Sequence, residues 1–347
     1  MYFERDLLRM GPLNYIGGKF WLLEQILPYI PNDIEVFWDV FAGGWNVGIN
    51  VDAETIVFND INKQLIAMLD AFKCYSIHEL LGEILQLIDE FGLKGAKSFP
   101  GERLNKTNEE SYKALRKSYN TKGDALYHSP VALYVLVCFS FNRNIRFSKE
   151  DAFSQTVGDD SFNAAMRKKL IEFVELLHAK KDKILTSSIP FQDIDLDDPV
   201  MQSSFLYLDP PYLITEAGYN SYWSEQAELE LLAFLDKAHS KGMRFALSNL
   251  LSRNILNKAT GEIEEVVNEP LSAWLEKNGH RYTMLDLKYD YKNAAPGQRV
   301  VSNEREILVI NYPVRDSFNQ PKRPRKGVMY FDLPLVKPKS PPQDKLW

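Results

Sequence analysis

The residues best suited to chemistry are Asp209-Pro210-Pro211-Tyr212, which follow directly on a short apolar run at 205–208. Two consecutive prolines neither extend a sheet nor enter a helix interior, so they set a rigid, extended turn at the end of that run. If the run is a buried strand of an open α/β sheet, the turn lies at the carboxyl edge, where such sheets bind ligands. A carboxylate, a proline carbonyl and a flat aromatic ring then stand close together, and the trio suits a planar amine. An amino group conjugated to a purine is a poor nucleophile because its lone pair is delocalised into the ring. Accepting both of its hydrogens, one at Asp209 and one at the Pro210 carbonyl, drives the nitrogen toward tetrahedral geometry and frees that pair. Tyr212 would hold the ring by stacking, worth roughly 1–3 kcal/mol per base. The plainer alternative is an Asp that caps a proline turn.

Two glycine segments bear on what such an amine would meet. The stretch 39–48, DVFAGGWNVG, follows the first apolar run, and Gly43 and Gly44 let backbone approach a ligand closely. Asp60 ends the next apolar run, where a carboxylate accepts from ribose hydroxyls. A dinucleotide G-x-G-x-x-G is lacking, so the pattern fits a nucleoside-containing cofactor without pyrophosphate; the ordinary reading is a glycine turn after a strand. The stretch 14–19, NYIGGK, precedes a helix expected to begin near Phe20. Gly17 and Gly18 offer N–H groups where a carboxylate is favoured, and Lys19 adds a positive charge. Its spacing excludes a P-loop, and a surface N-cap is the alternative.

These segments need strands to position them. Residues 35–41, EVFWDVF, form a continuous apolar run typical of buried parallel sheet, and 55–58, TIVF, form a second strand. Residues 45–51 read as a helix start. Helical spacing predicts helices over 62–72, 78–91, 163–180, 225–240 and 270–278, and strands are expected at 205–208, 244–247, 282–287 and 306–311. The apolar segment 131–141 fits helix or strand, 93–128 reads as polar, and 142–165 reads as loops with a hairpin. Strands alternate with helices at both ends while the middle is helical and loopy. The economical architecture is one α/β domain interrupted by an insertion over about 70–182.

Composition bounds the function. The chain of 347 residues is 45% hydrophobic and 25% charged, with 41 basic against 47 acidic residues and a net charge of −6, which argues against a protein that simply coats polyanions. Cys74 and Cys138 lack zinc spacing, the five histidines are scattered, and no metal is expected. No stretch approaches the ~18 apolar residues of a membrane span, and the first ten residues are charged where a signal peptide is apolar, so a cytoplasmic protein without membrane attachment is expected.

NYIGGK, DVFAGG with Asp60, and DPPY, in that order and with a long insert before the last, resemble the DNA amino-methyltransferases that use S-adenosylmethionine, in particular the DNA adenine methylase (D12 class) family. The resemblance runs from Gly11 to Pro313 and includes 141–158, FNRNIRFSKEDAFSQTVG, and 303–312, NEREILVINY. It implies a Rossmann-like methyltransferase sheet with helices on both faces: a discontinuous catalytic domain at 1–69 and 183–313, a target-recognition insertion at 70–182, and a basic, proline-rich tail at 314–347. It places Asp209, Pro210, Pro211 and Tyr212 in the catalytic tetrad. Tyr15, Gly17, Gly18, Lys19, Phe41, Ala42, Gly43, Gly44, Asp60 and Asp209 fall at the cofactor, with Asp60 on the ribose. Phe191 is assigned to stacking on the cofactor's adenine and Asp193 to its amino group. Arg143, Arg146, Lys149 and Phe153 match the DNA-contacting segment, and Lys19 sits near the target base. Two departures stand out: Trp45 replaces a small residue in the first glycine motif, and Asn144 replaces one in the hairpin segment.

The implied activity is methyl transfer to N6 of an adenine flipped out of double-stranded DNA, within a restriction-modification system. Expected partners are DNA and a cognate restriction endonuclease, for a monomer or weak dimer. Methylation of cytosine N4 is the nearest chemical alternative, though Ser is more usual than Asp at the first tetrad position there. Methylation of an RNA adenine or a glutamine side chain is chemically open too. A non-catalytic DNA-binding module on the same fold is the alternative of another class, and the intact Asp209 and Asp60 count against it. The tail, with eight Lys and Arg against three Asp and Glu over 314–347, reads as a solvated extension or as a basic arm on DNA. As an extension, its deletion leaves the salt dependence of DNA binding unchanged; a slope shallower by about one per lost phosphate contact would put the arm in the interface.

Overall fold

Alternate residues of the central strands enter two separate cores. Phe205 and Tyr207 pack on one face of the sheet and Leu206 and Leu208 on the other, and Leu308 and Ile310 part from Ile307 and Val309 in the same way. That period of two makes a three-layer molecule. The structure is a computed structural model and describes residues 8–15, 17–215, 223–257, 260–288 and 304–313. The tail at 314–347 lies outside the described residues.

The strands are β1 (Val36–Asp39), β2 (Thr55–Asn59), β3 (Ile184–Ser187), β4 (Ser204–Leu208), β5 (Arg244–Leu256), β6 (Ile263–Val267), β7 (Thr283–Leu287) and β8 (Arg305–Ile310). Their order is β3-β2-β1-β4-β5-β8-β7, with β6 pairing to β5. The first five of these run parallel, while β8 and β7 are antiparallel to their neighbours. Strand order reverses between β1 and β4, the switch point at which open sheets take ligands.

The helices are α1 (Leu23–Ile26), α2 (Lys63–Cys74), α3 (Ile77–Glu90), α4 (Leu104–Thr107), α5 (Glu109–Asn120), α6 (Pro130–Phe139), α7 (Ala164–Ala179), α8 (Glu225–Ser240) and α9 (Glu269–Asn278). The segment 131–141, ambiguous in sequence, is the helix α6. Ser129 caps it by accepting from the Ala132 N–H, Pro130 opens it, and Val131 to Phe139 are all buried. Helices α2, α3 and α5 surround it, which explains why its sequence shows no polar face. Segments of the expected insertion therefore share their core with the sheet: α6 and α7 pack in the same cluster as Phe37 and Phe58. On the opposite face lie α8 and α9.

Several elements differ from the sequence expectations: β3, β6 and the short α4 are not foreseen, and three others call for a physical reason. Helix α5 lies within the polar stretch 93–128, held by only three buried anchors, Tyr112, Leu115 and Tyr119. Strand β5 runs nine residues past 247, and its outer part, polar in sequence, is carried by pairing with β6. The helix expected over 45–51 is only a short 3-10 turn at Gly48–Asn50. Its asparagines are engaged elsewhere: Asn46 Oδ1 accepts from the Gly11 N–H at 2.9 Å, and Asn50 Nδ2 donates to the Arg9 carbonyl at 2.7 Å.

Trp45 bears on this turn and on the departure noted above. Its φ is +61°, in the left-handed region, and its ring is fully buried, stacked on Phe173 at 5.7 Å and edge-on to Phe72 at 6.2 Å. The indole thus leaves the glycine turn for the helical layer and anchors the turn from behind. Trp45→Ala is expected to lower stability by about 3–5 kcal/mol, the range for a large aromatic removed from a core. Urea denaturation measures it, and a loss below about 1 kcal/mol would show that the turn does not depend on this ring.

Candidate active site

Because β1 to β4 run parallel, the loops that leave them meet at one edge. One side chain ties three of them. Asn59, buried at the end of β2, donates from Nδ2 to the carbonyls of Val40 and Ile189, both at 3.0 Å, and its Oδ1 accepts from the Ile189 N–H at 3.1 Å. Sequence reading missed Asn59, whose only signal is a polar residue inside an apolar strand.

The glycine turn after β1 is held by Asp60, whose Oδ2 accepts from the Gly43 N–H at 2.9 Å and whose Oδ1 accepts from the Asn62 N–H at 2.8 Å. Burial pushes this carboxyl upward against both hydrogen bonds. Tyr15 lies across Gly43 and Gly44: a Cβ on Gly43, whose φ is +46°, would come within 3.0 Å of the Tyr15 ring, and one on Gly44 within 2.8 Å of the Tyr15 Cβ. Glycine at both positions is thus a packing requirement. Gly18 is confined in the same way, between the Tyr15 carbonyl and Asn46. Of the residues expected at the cofactor, Tyr15, Gly18, Gly43, Gly44 and Asp60 thus pack around one turn, with Gly17 and Ala42 adjoining them in the chain.

Beside this turn is an aromatic box. Phe41 meets Phe191 and Trp223, each with centroids 5.7 Å away, and Phe191 is enclosed by Phe41, Trp223 and Phe234. Phe191 is only 5% exposed and so forms the back of the box, while Asp193 is exposed on the turn that follows. Sequence reading missed Trp223. Its indole N–H donates to Glu228 at 2.7 Å, and the buried Glu228 also accepts from Asn249 and Asn268, each at 2.9 Å.

The fourth loop carries Asp209 to Tyr212. The Lys19 ammonium reaches Asp209 Oδ1 at 2.8 Å and donates to the Gly17 carbonyl at 2.7 Å. The Tyr212 hydroxyl shares its one proton between Glu306 Oε1 at 2.7 Å and Asp209 Oδ1 at 3.2 Å, and Lys19 lies 4.9 Å from the centre of the Tyr212 ring. Burial raises the Asp209 carboxyl to about 6, with Lys19 opposing and Glu306 reinforcing the rise. Lys19, expected near a base, is 2% exposed and aimed into this corner.

The segment expected to touch DNA is a hairpin rooted on α6, with bridges Ser140 to Val157 and Phe147 to Phe153. Arg146 and Lys149 are exposed on it. Phe153 departs from the expectation of a DNA-facing ring: it is 1% exposed, packed edge-on against Tyr119 and Phe147, where an apolar ring holds the hairpin down. Arg143 also turns inward and pairs with Asp160 at 2.9 Å.

Comparison with known proteins decides the family. The model of the D12 class N6 adenine-specific DNA methyltransferases matches residues 15–284. The chain belongs to that family. It is 38% identical to the type II methyltransferase M.FokI of Planomicrobium okeanokoites over 312 residues, which cover 87% of this chain and 43% of that protein. It is 36% identical to the modification methylase StsI of Streptococcus sanguinis over 317 residues, covering 89% and 44%. A DNA adenine methylase of Vibrio cholerae is 27% identical over 248 residues, covering 70% and 80%. The chain thus spans under half the length of the first two relatives. Membership in this methyltransferase family implies a methyl donor, and the residue types fit one bearing a nucleoside: aromatic rings for a flat base and a carboxylate, Asp60, on the adjoining turn. No described helix is long and apolar enough to cross a membrane.

Asp39, at the end of β1, shows how tightly carboxylates are held in this family member. Its Oδ2 accepts from the Gly48 N–H at 3.0 Å, and burial, with Asp209 and Asp60 nearby, pushes it up to about 7. A carboxyl that binds its proton more tightly folded than unfolded contributes stability that is fully present below its unfolded value of 3.8 and lost as pH rises through about 7. The stability difference between wild type and Asp39→Asn should therefore shift in favour of the amide variant from pH 4 to pH 8. Urea midpoints across that range measure it, and a difference independent of pH would refute it.

Proposed function

We propose that this chain transfers a methyl group from S-adenosylmethionine to N6 of an adenine extruded from double-stranded DNA, as the modification activity paired with a restriction endonuclease of the same site. The observation that carries the reading is the corner formed by Asp209, Tyr212 and Lys19 at the switch-point edge, beside the aromatic box and Asp60. The donor, when bound, supplies an electrophilic methyl carbon on a sulfonium.

Lys19 and Tyr212 both engage Asp209 Oδ1, which orients Oδ2 toward an incoming amino hydrogen. The Pro210 carbonyl takes the second hydrogen. With both held, the nitrogen lone pair forms the new N–C bond while the electrons of the broken S–C bond stay on sulfur. The surplus proton leaves nitrogen for the Asp209 carboxylate and then for water, a transfer suited to a group near 6. Lys19 lies over the Tyr212 ring, and that ring replaces the stacking that the adenine loses on leaving the duplex. Phe41 and Trp223 would flank the donor's adenine against Phe191, Asp60 would accept from its ribose, and the turn at Gly17, whose neighbour Gly18 already donates its N–H to the Tyr15 carbonyl at 3.0 Å, would receive its carboxylate. Asp193 lies outside the box and reaches the adenine amino group only at its rim. Arg146 and Lys149 contact DNA phosphates, while Arg143 and Phe153 shape the hairpin that presents them.

Labelled methyl transfer into plasmid DNA, followed by acid digestion, tests this directly: the product should be N6-methyladenine, and N4-methylcytosine would overturn the reading. Asp209→Ala should lower turnover by about 10²–10⁴-fold, the usual worth of a positioned proton acceptor, while donor affinity in a binding titration stays within several-fold. Wild-type turnover in that variant would remove Asp209 from the mechanism.

A further inference from the structure

Strand β8 runs antiparallel to β5, so its first residues lie at the edge where the parallel strands end. Glu306 sits there, between Leu250 of β5 and Leu287 of β7, with its side chain 5% exposed. Placing a carboxylate so deep in a sheet is unfavourable unless partners compensate it. Its partners are the Tyr212 hydroxyl at 2.7 Å and the Lys19 ammonium at 3.4 Å. Those same two groups hold Asp209, at 3.2 Å and 2.8 Å. Two carboxylates from different strands thus share one cation and one hydroxyl. The residue lies beyond the residues 15–284 matched by the family model.

We propose that Glu306 is a positioning residue for methyl transfer: by drawing on Lys19 and Tyr212 from behind, it stops the ammonium from neutralising Asp209 outright and keeps that carboxylate a strong acceptor for the amino hydrogen. This rests on the methyl-transfer reading above and adds a residue to it. The shared cation leaves the cluster with net negative charge, which favours the positive charge that develops on nitrogen as the N–C bond forms and before the proton passes to Asp209. Without the charge of Glu306, Lys19 and Asp209 would close into a neutral pair, a weaker acceptor. The groups that face Asp209 are Lys19 ahead of α1, Tyr212 on its own turn, Glu306 on β8, Asp39 on β1 and Tyr207 on β4. Of these, Glu306 pushes its proton affinity up, while Lys19 and Tyr212 pull it down; Asp39 is itself raised by Asp209.

Glu306→Gln keeps the shape and an acceptor for Tyr212 but removes the charge. In the full chain acting on duplex DNA, kcat is expected to fall about tenfold while KM for the donor stays within about twofold, and the acid limb of the rate profile moves to lower pH. Glu306→Asp should restore part of the loss. A readout that needs no turnover is the ¹³C-carboxyl titration of Asp209, assigned with Asp209→Asn. Its midpoint near 6 should drop by about half a pH unit or more in Glu306→Gln. An unchanged midpoint overturns the role of Glu306 whatever the activity, as does a wild-type kcat with an unchanged pH profile. Absence of methylation by the wild-type chain would instead overturn the methyl-transfer reading.

Discussion

The ammonium of Lys19 stands between carboxylates that the chain brings from the ends of two strands, β4 and β8, and nearly everything at the sheet edge is arranged to keep it there. It is a charge in a region where water has little access, so its distances to Asp209 and Glu306 matter far more than they would on a surface. Lys19 reaches this place because the segment before α1 is docked on the glycine turn. Gly11 donates to Asn46, and Tyr15 lies over Gly43 and Gly44. A loosened turn would therefore displace the cation without touching the residues that bear the chemistry.

The sheet supplies the other half of the constraint. Parallel strands bring their carboxyl ends together, and Asn59 then joins three of the departing loops through hydrogen bonds to backbone. Each layer of helices covers one face with a separate apolar cluster, so neither layer needs the edge for its own packing. The edge is left free to hold polar groups close together, including carboxyls that burial forces upward. Such a corner is a site of local instability tolerated by a well-packed frame.

How far the sequence revealed this depends on where each residue's signal lies. Asp209 to Tyr212, Gly43, Gly44 and Asp60 were legible because strand, turn and acid follow one another along the chain, and local order along the chain becomes local order in space at a parallel edge. Helices with a complete apolar stripe, such as α8, were legible for the same reason. Glu306 was not, since its partners lie far away in sequence and a single acid at the start of an apolar strand looks like an ordinary exposed end. Trp223 and Asn59 were missed in the same way. Phe153 and Arg143 were misplaced because aromatic and basic residues in a loop suggest a ligand-facing surface, whereas a hairpin must also bury something to hold its own shape. Helix α5 went unseen because its three anchors, though at helical spacing, stand among nine largely polar residues, so the whole segment reads as polar.

The hairpin that carries Arg146 and Lys149 hangs from the end of α6, a helix enclosed on every side. Its root is closed by the Gly158 N–H donating to the Phe139 carbonyl and by the Phe141 N–H donating to the Thr156 carbonyl, both at 2.8 Å. A Cβ on Gly158 would collide with the Ser140 carbonyl at 2.5 Å. Beyond that root the arm is held at a second point, where Asn120 of α5 exchanges two hydrogen bonds with the Phe153 backbone, both at 2.9 Å, and Tyr119 packs on the Phe153 ring. A hairpin transplanted at 139–158 would therefore have to bring α5 with it, because root and helix clamp the arm together.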